Sequence, residues 1–225
     1  MTHDSKVPAA VPSAVGGGDD PLARRIRFAL EADRLKSVVR RTRLVDGSRH
    51  ENTAEHSWHL GILAMLLGDA ACPGVNSGRV LRMLLVHDLI EIDAGDTFAF
   101  DELGYLDKDD RETVAARRLF GLLPNEQGLE LRSLWEEFEA GETADARFAV
   151  ALDRFQPLLL NYFGGGGSWS EHEITRSQVL RRMAPIEHGA PALWPFVLDV
   201  IDRACAQGWI APDPEQGVTR AQRGG

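Results

Sequence analysis

Residues 81–96 read LRMLLVHDLIEIDAGD. The spacing predicts a helix that is apolar on nearly every side, with Leu81, Met83, Leu84, Leu85, Val86, Leu89, Ile90 and Ile92 surrounding His87, Asp88 and Glu91. A helix of that kind belongs inside a core of other helices. Its two carboxylates need positive charge beside them, because a buried unpaired charge costs several kcal/mol or is forced neutral. A divalent cation supplies that charge compactly. The adjacent His87 and Asp88 offer it an imidazole nitrogen and a carboxylate oxygen, and Glu91 falls on the same helical face. The alternative at this stage is a core histidine satisfied by its surroundings and a carboxylate paired with an arginine.

The remainder of the 225 residues, 44% of them hydrophobic, is enough to bury one good core. Residues 1–20, rich in Pro, Gly and small polar side chains, are expected to form a disordered tail; residues 21–210 form one domain, and residues 211–225 form a flexible tail. No run of eighteen apolar residues suggests a membrane span, and the N-terminus lacks the basic and apolar regions of a signal peptide. Cys72 and Cys205, far apart in apolar helical contexts, read as reduced core thiols of a cytoplasmic protein. A net charge of −9 argues against a general nucleic-acid surface, so the positive charges that do cluster require a specific explanation.

A first helix is expected from the Asp20-Pro21 boundary to about Arg40. Lys36, Arg40, Arg41, Arg43 and Arg49 then create a local positive field around an Asp46-Gly47 turn. Arginine forks there suit a phosphate, or Arg40 and Arg41 simply complement the helix C-terminus. The next helix opens with Asn52 and Glu55 as a capping box, runs to about Ala71, and reads as buried through Trp58, Leu60, Ile62, Leu63, Met65, Leu66 and Leu67. His56 and His59 lie one turn apart near its start. Further helices are expected over residues 107–119, 123–138, 145–162, 170–183 and 192–207. The third of these sets Asp153 among Phe148, Val150, Ala151, Leu152, Phe155 and Leu158, a second carboxylate in apolar surroundings, with Pro157 four residues on. Arg154 is a poor partner for that acid on helical geometry, since adjacent residues point in different directions. Nothing alternates with strand period for long, so the fold class is all-α.

Taken together, His56, His87-Asp88 and Asp153 give the order H…HD…D, each on a helix whose other faces are apolar. This pattern resembles the HD-domain superfamily of metal-dependent phosphohydrolases. The segments RLKSVVRRTRLVDGSRHENTAEHSWHL and LLVHDLIEIDAGD are similar to its 5′-deoxynucleotidase branch, which shares LKxxxR, EH(S) and HDxxExxxxGD. The resemblance implies a helical bundle with one divalent metal at its centre, held by His56, His87, Asp88 and Asp153. It implies Glu91 and Asp96 as catalytic carboxylates and Arg40 as the phosphate clamp. Arg41 and His59 are expected on the substrate side, although the bacterial enzymes carry Trp where this chain has Arg41. The donor set accepts manganese, cobalt, iron, nickel, zinc or magnesium. No histidine lies between His87 and His172, which fits one metal rather than two. The implied partner is a small phosphorylated molecule, most simply a nucleotide, and the implied assembly a homodimer. A guanosine polyphosphate or sugar phosphate as substrate, or a metal-binding sensor without turnover, stand as alternatives.

Overall fold

The structure, a computed structural model, describes residues 20–101 and 103–214. The expected tails lie outside the described residues except for Asp20 and residues 211–214. Asp20 caps α1 (Pro21–Ala32) by accepting from the backbone N–H groups of Leu22 at 2.7 Å and Ala23 at 3.4 Å. At the other end Ala211 is tied to Ile174 and Arg176 through the backbone, and Asp213 accepts from the Ser177 N–H at 2.9 Å.

The first helix stops well short of Arg40. After Ala32 the chain tightens into a 3₁₀ turn and then extends into β1 (Val39–Arg43), paired antiparallel with β2 (His50–Asn52). Val38, Val39 and Thr42 are β-branched and stiff at χ1, which favours the extended chain. The Asp46 side chain closes the turn by accepting from the Ser48 N–H at 2.9 Å. The basic cluster is therefore carried on a short hairpin rather than on a helix end and loop.

Asn52 and Glu55 form the capping box of α2 (Thr53–Leu66), as the sequence predicts. The helix is shorter than expected and less buried. Trp58, Ile62, Met65 and Leu66, at i, i+4, i+7 and i+8, form an outward stripe with Trp58 66% exposed. The opposite face, Leu60, Leu63 and Ala64, enters the core.

The stretch quoted first is not one helix. α3 (Ser77–Val86) gives way at His87 to a tight turn, and α4 (Glu91–Ala94) follows. In the turn the backbone hydrogen bonds run from Leu89 to Val86 and from Glu91 to Asp88, three residues back instead of four. Residues three apart eclipse in such a turn, which stacks Asp88 and Glu91 on one side. It also rotates the apolar residues: Met83 and Leu84 enter one core cluster, whereas Val86, Leu89 and Ile90 enter a second. Gly95, at φ +77°, then reverses the chain in a conformation few other residues adopt, and Asp96 follows it.

α5 (Lys108–Phe120) covers the second cluster with Ala115, Ala116, Leu119 and Phe120, so it is not merely a charged surface helix. α6 (Asn125–Ala140) ends at Gly141 in the left-handed conformation anticipated for a cap. α7 (Ala144–Phe163) is the axis of the fold: Phe148, Ala151, Leu152 and Leu158 are wholly buried, and the helix continues through Pro157. The single helix expected over 170–183 divides into α8 (Gly167–Glu171) and α9 (Arg176–Met183). Glu173 adopts a positive φ, and Thr175 with Gln178 opens a second capping box. α10 (Pro185–Gly189) and α11 (Trp194–Ala206) complete the wall around α7. Cys72 and Cys205 are free thiols, half-buried rather than in the core.

α10 crosses α7 closely at Gly189, where a Cβ would fall 2.1 Å from the Arg147 carbonyl oxygen and 2.8 Å from Ala151 Cβ. Backbone cannot yield there as a flexible side chain would. Gly189→Ala is expected to destabilise the fold by about 2–3 kcal/mol, read as a lowered denaturation midpoint. An unchanged midpoint would show that α10 shifts freely on α7.

Candidate metal centre

Three helical elements bring His56, His87, Asp88 and Asp153 to one point. The capping box fixes the start of α2 and turns His56 inward, where it is fully buried. The tight turn after α3 presents His87 and Asp88, and the buried face of α7 presents Asp153. His56 Nε2 lies 3.0 Å from Asp153 Oδ1 and 3.8 Å from Asp88 Oδ2. His87 Nε2 lies 3.1 Å from Asp88 Oδ2 and 3.8 Å from Asp153 Oδ1. A divalent ion with bonds of about 2.0–2.2 Å holds neighbouring ligand atoms roughly 3–3.5 Å apart, so these spacings fit one.

The histidine tautomers fit as well. His56 Nδ1 is 3.0 Å from Gln156 Oε1, and His87 Nδ1 is 3.0 Å from the Leu84 carbonyl oxygen. Each acceptor takes a hydrogen bond from Nδ1 and turns Nε2 toward the carboxylates. His87 Nε2 is buried and makes no hydrogen bond among the described residues, the position of a ligand atom rather than of a satisfied core histidine. The local field favours positive charge at this point. Burial opposes a charged His87, yet Asp88 and Asp153 outweigh it and lift its pKa to about 10. Burial would likewise raise Asp88, but His87 and Arg40 hold it down at about 2. Asp153 stays well below the usual carboxylate range against its burial, through Arg154 and the two histidines.

Arg154 does reach its neighbour: its Nη1 donates to Asp153 Oδ2 at 2.7 Å, a pairing that helical geometry argued against. The long side chain bends back along the helix to make it. Arg40 comes from β1 and is held by three carboxylates, Asp88 at 3.2 Å, Glu51 at 3.6 Å and Asp96 at 3.8 Å. Glu91 is buried, accepts from Thr53 Oγ1 at 3.0 Å, and binds protons more tightly than usual because of burial and the adjacent Asp88 charge. Asp96 shifts the same way for the same reasons. His59 stands behind the cluster, with its Nδ1 accepting from Gln156 Nε2 at 3.1 Å. Arg41 is exposed at the mouth of the cavity.

Two residues of this network were not singled out from the sequence. Gln156 joins His56 to Glu51, accepting from one and donating to the other at 2.7 Å. Its signal was position, three residues beyond Asp153 and so on the same face of α7. Glu51, with burial raising its pKa to about 7 against the pull of Arg40, lies inside the segment around the capping box. The centre opens into a cavity of about 540 Å³ whose walls carry Phe98, Phe100 and Tyr105 on one loop and Lys108, Arg154 and Arg182 on helices. That volume suits a nucleotide-sized molecule.

The HD domain model matches residues 32–194. The crystal structure of a predicted metal-dependent phosphohydrolase from Magnetospirillum magnetotacticum MS-1 is 49% identical and superposes with a TM-score of 0.84, over 88% of this chain and all of that one. A conserved hypothetical protein from Pyrococcus furiosus, 20% identical with a TM-score of 0.58, shares the fold. Among curated proteins, human 5′-deoxynucleotidase HDDC2 is 33% identical over 49% of this chain and 53% of its own length. The Schizosaccharomyces pombe 5′-deoxynucleotidase hdd1 is 31% identical over 56% of this chain and 64% of its own. The chain thus spans about half the length of the first curated relatives it matches. No helix among the described residues is long and apolar enough to cross a membrane. The HD domain match over most of the chain, the fold shared with a metal-dependent phosphohydrolase and the His/Asp centre together place the chain in the HD domain family.

Proposed function

We propose that this chain is a metal-dependent phosphomonoesterase that removes the 5′-phosphate of deoxynucleoside monophosphates, using one divalent ion held by His56, His87, Asp88 and Asp153. The observation that carries the reading is the convergence of two histidine Nε2 atoms and two carboxylates at the floor of a nucleotide-sized cavity walled with arginines. A divalent ion bound there supplies Lewis acidity and lowers the pKa of water. Manganese, cobalt, iron, nickel, zinc and magnesium all suit such donors.

The chain's own residues supply the rest. Glu91, with Oε2 anchored by Thr53, takes the proton that water gives up as it attacks phosphorus, and the P–O bond to the 5′-oxygen breaks in line. The leaving oxygen acquires a proton, giving nucleoside and inorganic phosphate. Arg40 balances negative charge on the phosphoryl oxygens, and Asp96, beside it, orients the guanidinium. Gln156 holds the His56 ring, with Glu51 and His59 behind it. Arg41, at the mouth, faces the sugar end of the substrate. The names of the human and yeast relatives support the substrate class. A homodimer and a cytoplasmic location belong to the same reading, on the family resemblance and the two free thiols.

The test is phosphate release from a panel of ribo- and deoxyribonucleoside 5′-monophosphates and sugar phosphates, with each metal. Preference for the deoxynucleotides is the expected result. Preference for a sugar phosphate would move the substrate while keeping the chemistry, and no release from any ester despite bound metal would end the enzymatic reading.

A further inference from the structure

Arg182, near the end of α9, is a half-buried arginine that lines the cavity. Of the other cavity cations, Arg40 is committed to three carboxylates, Arg154 to Asp153, and Lys108 to Glu112 and Glu139, while Arg41 lies exposed at the mouth. Arg182 has no carboxylate within ion-pair distance among the described residues. Its one hydrogen bond there is a 3.5 Å contact from Nη1 to the Tyr105 hydroxyl, at the limit of such bonds. A guanidinium that lines a cavity with five donors and so little among the described residues to donate to is open to an anion entering that cavity.

The position identifies the anion. Arg182 shares the cavity wall with Arg40, Asp96, Asp153 and Arg154, so it stands on the side of the metal centre. Burial and repulsion from Arg154 bring its pKa down to about 10, the mark of a positive site short of negative charge. Arg40, by contrast, already has its Nη1 bound to Asp88. A phosphate monoester placed over the centre must therefore draw part of its grip from α9.

We infer that Arg182 binds the reacting phosphoryl group, as a second arm of the phosphate grip opposed in sequence to the Arg40 arm on β1. This rests on the phosphomonoesterase reading for the identity of the ligand. A planar fork with free donors suits the oxygens of a phosphate dianion, and lysine would not reproduce it. The competing role is structural, with Arg182 merely pinning the Tyr105 loop.

Two measurements on metal-loaded, full-length protein decide. The first maps phenylglyoxal modification by mass spectrometry with and without saturating inorganic phosphate. Phosphate is expected to slow modification of Arg182 at least fivefold while leaving the exposed Arg203 unaffected. The second compares Arg182→Met, which keeps the packing stem, with Tyr105→Phe. Arg182→Met is expected to raise both KM and the inhibition constant for phosphate at least tenfold with metal content unchanged, whereas Tyr105→Phe leaves the inhibition constant for phosphate within twofold. No protection of Arg182 overturns the proposal, as does an unchanged inhibition constant in a folded Arg182→Met protein. Protection without turnover of any ester would uphold the anion site and reject the phosphomonoesterase reading. Turnover without protection would do the reverse.

Discussion

Asp88→Ala protein is expected to bind no stoichiometric divalent metal and to release phosphate at least about 10³-fold more slowly than the wild type. Asp88 Oδ2 is the most shared atom of the centre, within 3.1 Å of His87 Nε2, 3.2 Å of Arg40 Nη1 and 3.8 Å of His56 Nε2. Removing it takes away one of two anionic ligands and leaves Arg40 facing Glu51 and Asp96 at 3.6 and 3.8 Å. The helix packing does not depend on this side chain, because the apolar clusters on either side are complete without it. Metal content by elemental analysis and kcat on the best substrate of the panel read the effect. Full activity in a metal-free Asp88→Ala protein would contradict the whole account of the centre.

Glu91→Gln separates chemistry from metal binding. Glutamine keeps the size of the side chain and can still accept from Thr53 Oγ1, so the α4 turn and the ligands before it have no reason to move. It can no longer take up a proton. The expected result is unchanged metal content, a KM within a few fold of wild type and a kcat lowered by roughly 10²–10⁴. Such a variant would lose function present only in the transition state. A kcat near the wild-type value would return Glu91 to a purely electrostatic role beside Asp88.

Much of the centre was legible because it is made of chemistry that apolar helices do not otherwise tolerate. His87-Asp88 and Asp153 announced themselves as charges among leucines, and the fold class followed from the helical spacing around them. The misses have a common physical cause, since they lie where local backbone competes with helical periodicity. The turn at residues 87–90 keeps a helix-like sequence while its hydrogen bonds shorten to three residues, which changes the face of every later side chain. The hairpin of β1 and β2 is too short and too basic to show alternation, yet it is what swings Arg40 over the ligands. Arg182 belongs to no motif at all. Its surroundings come from α7, the loop carrying Tyr105 and α9, segments far apart in the chain, and only their packing leaves it without a counter-ion among the described residues. The exposed stripe of α2 shows the opposite error: hydrophobic content alone placed Trp58 and Met65 inside, whereas they point outward.

The central claim is that catalysis depends on a single divalent ion among His56, His87, Asp88 and Asp153. Its most direct test is to strip the protein of metal and titrate one divalent metal back while following phosphate release from a deoxynucleoside 5′-monophosphate. The account predicts no release at the start, a linear rise, and a plateau at one equivalent per chain. Release from the stripped protein, or a plateau reached only at two equivalents, would contradict it.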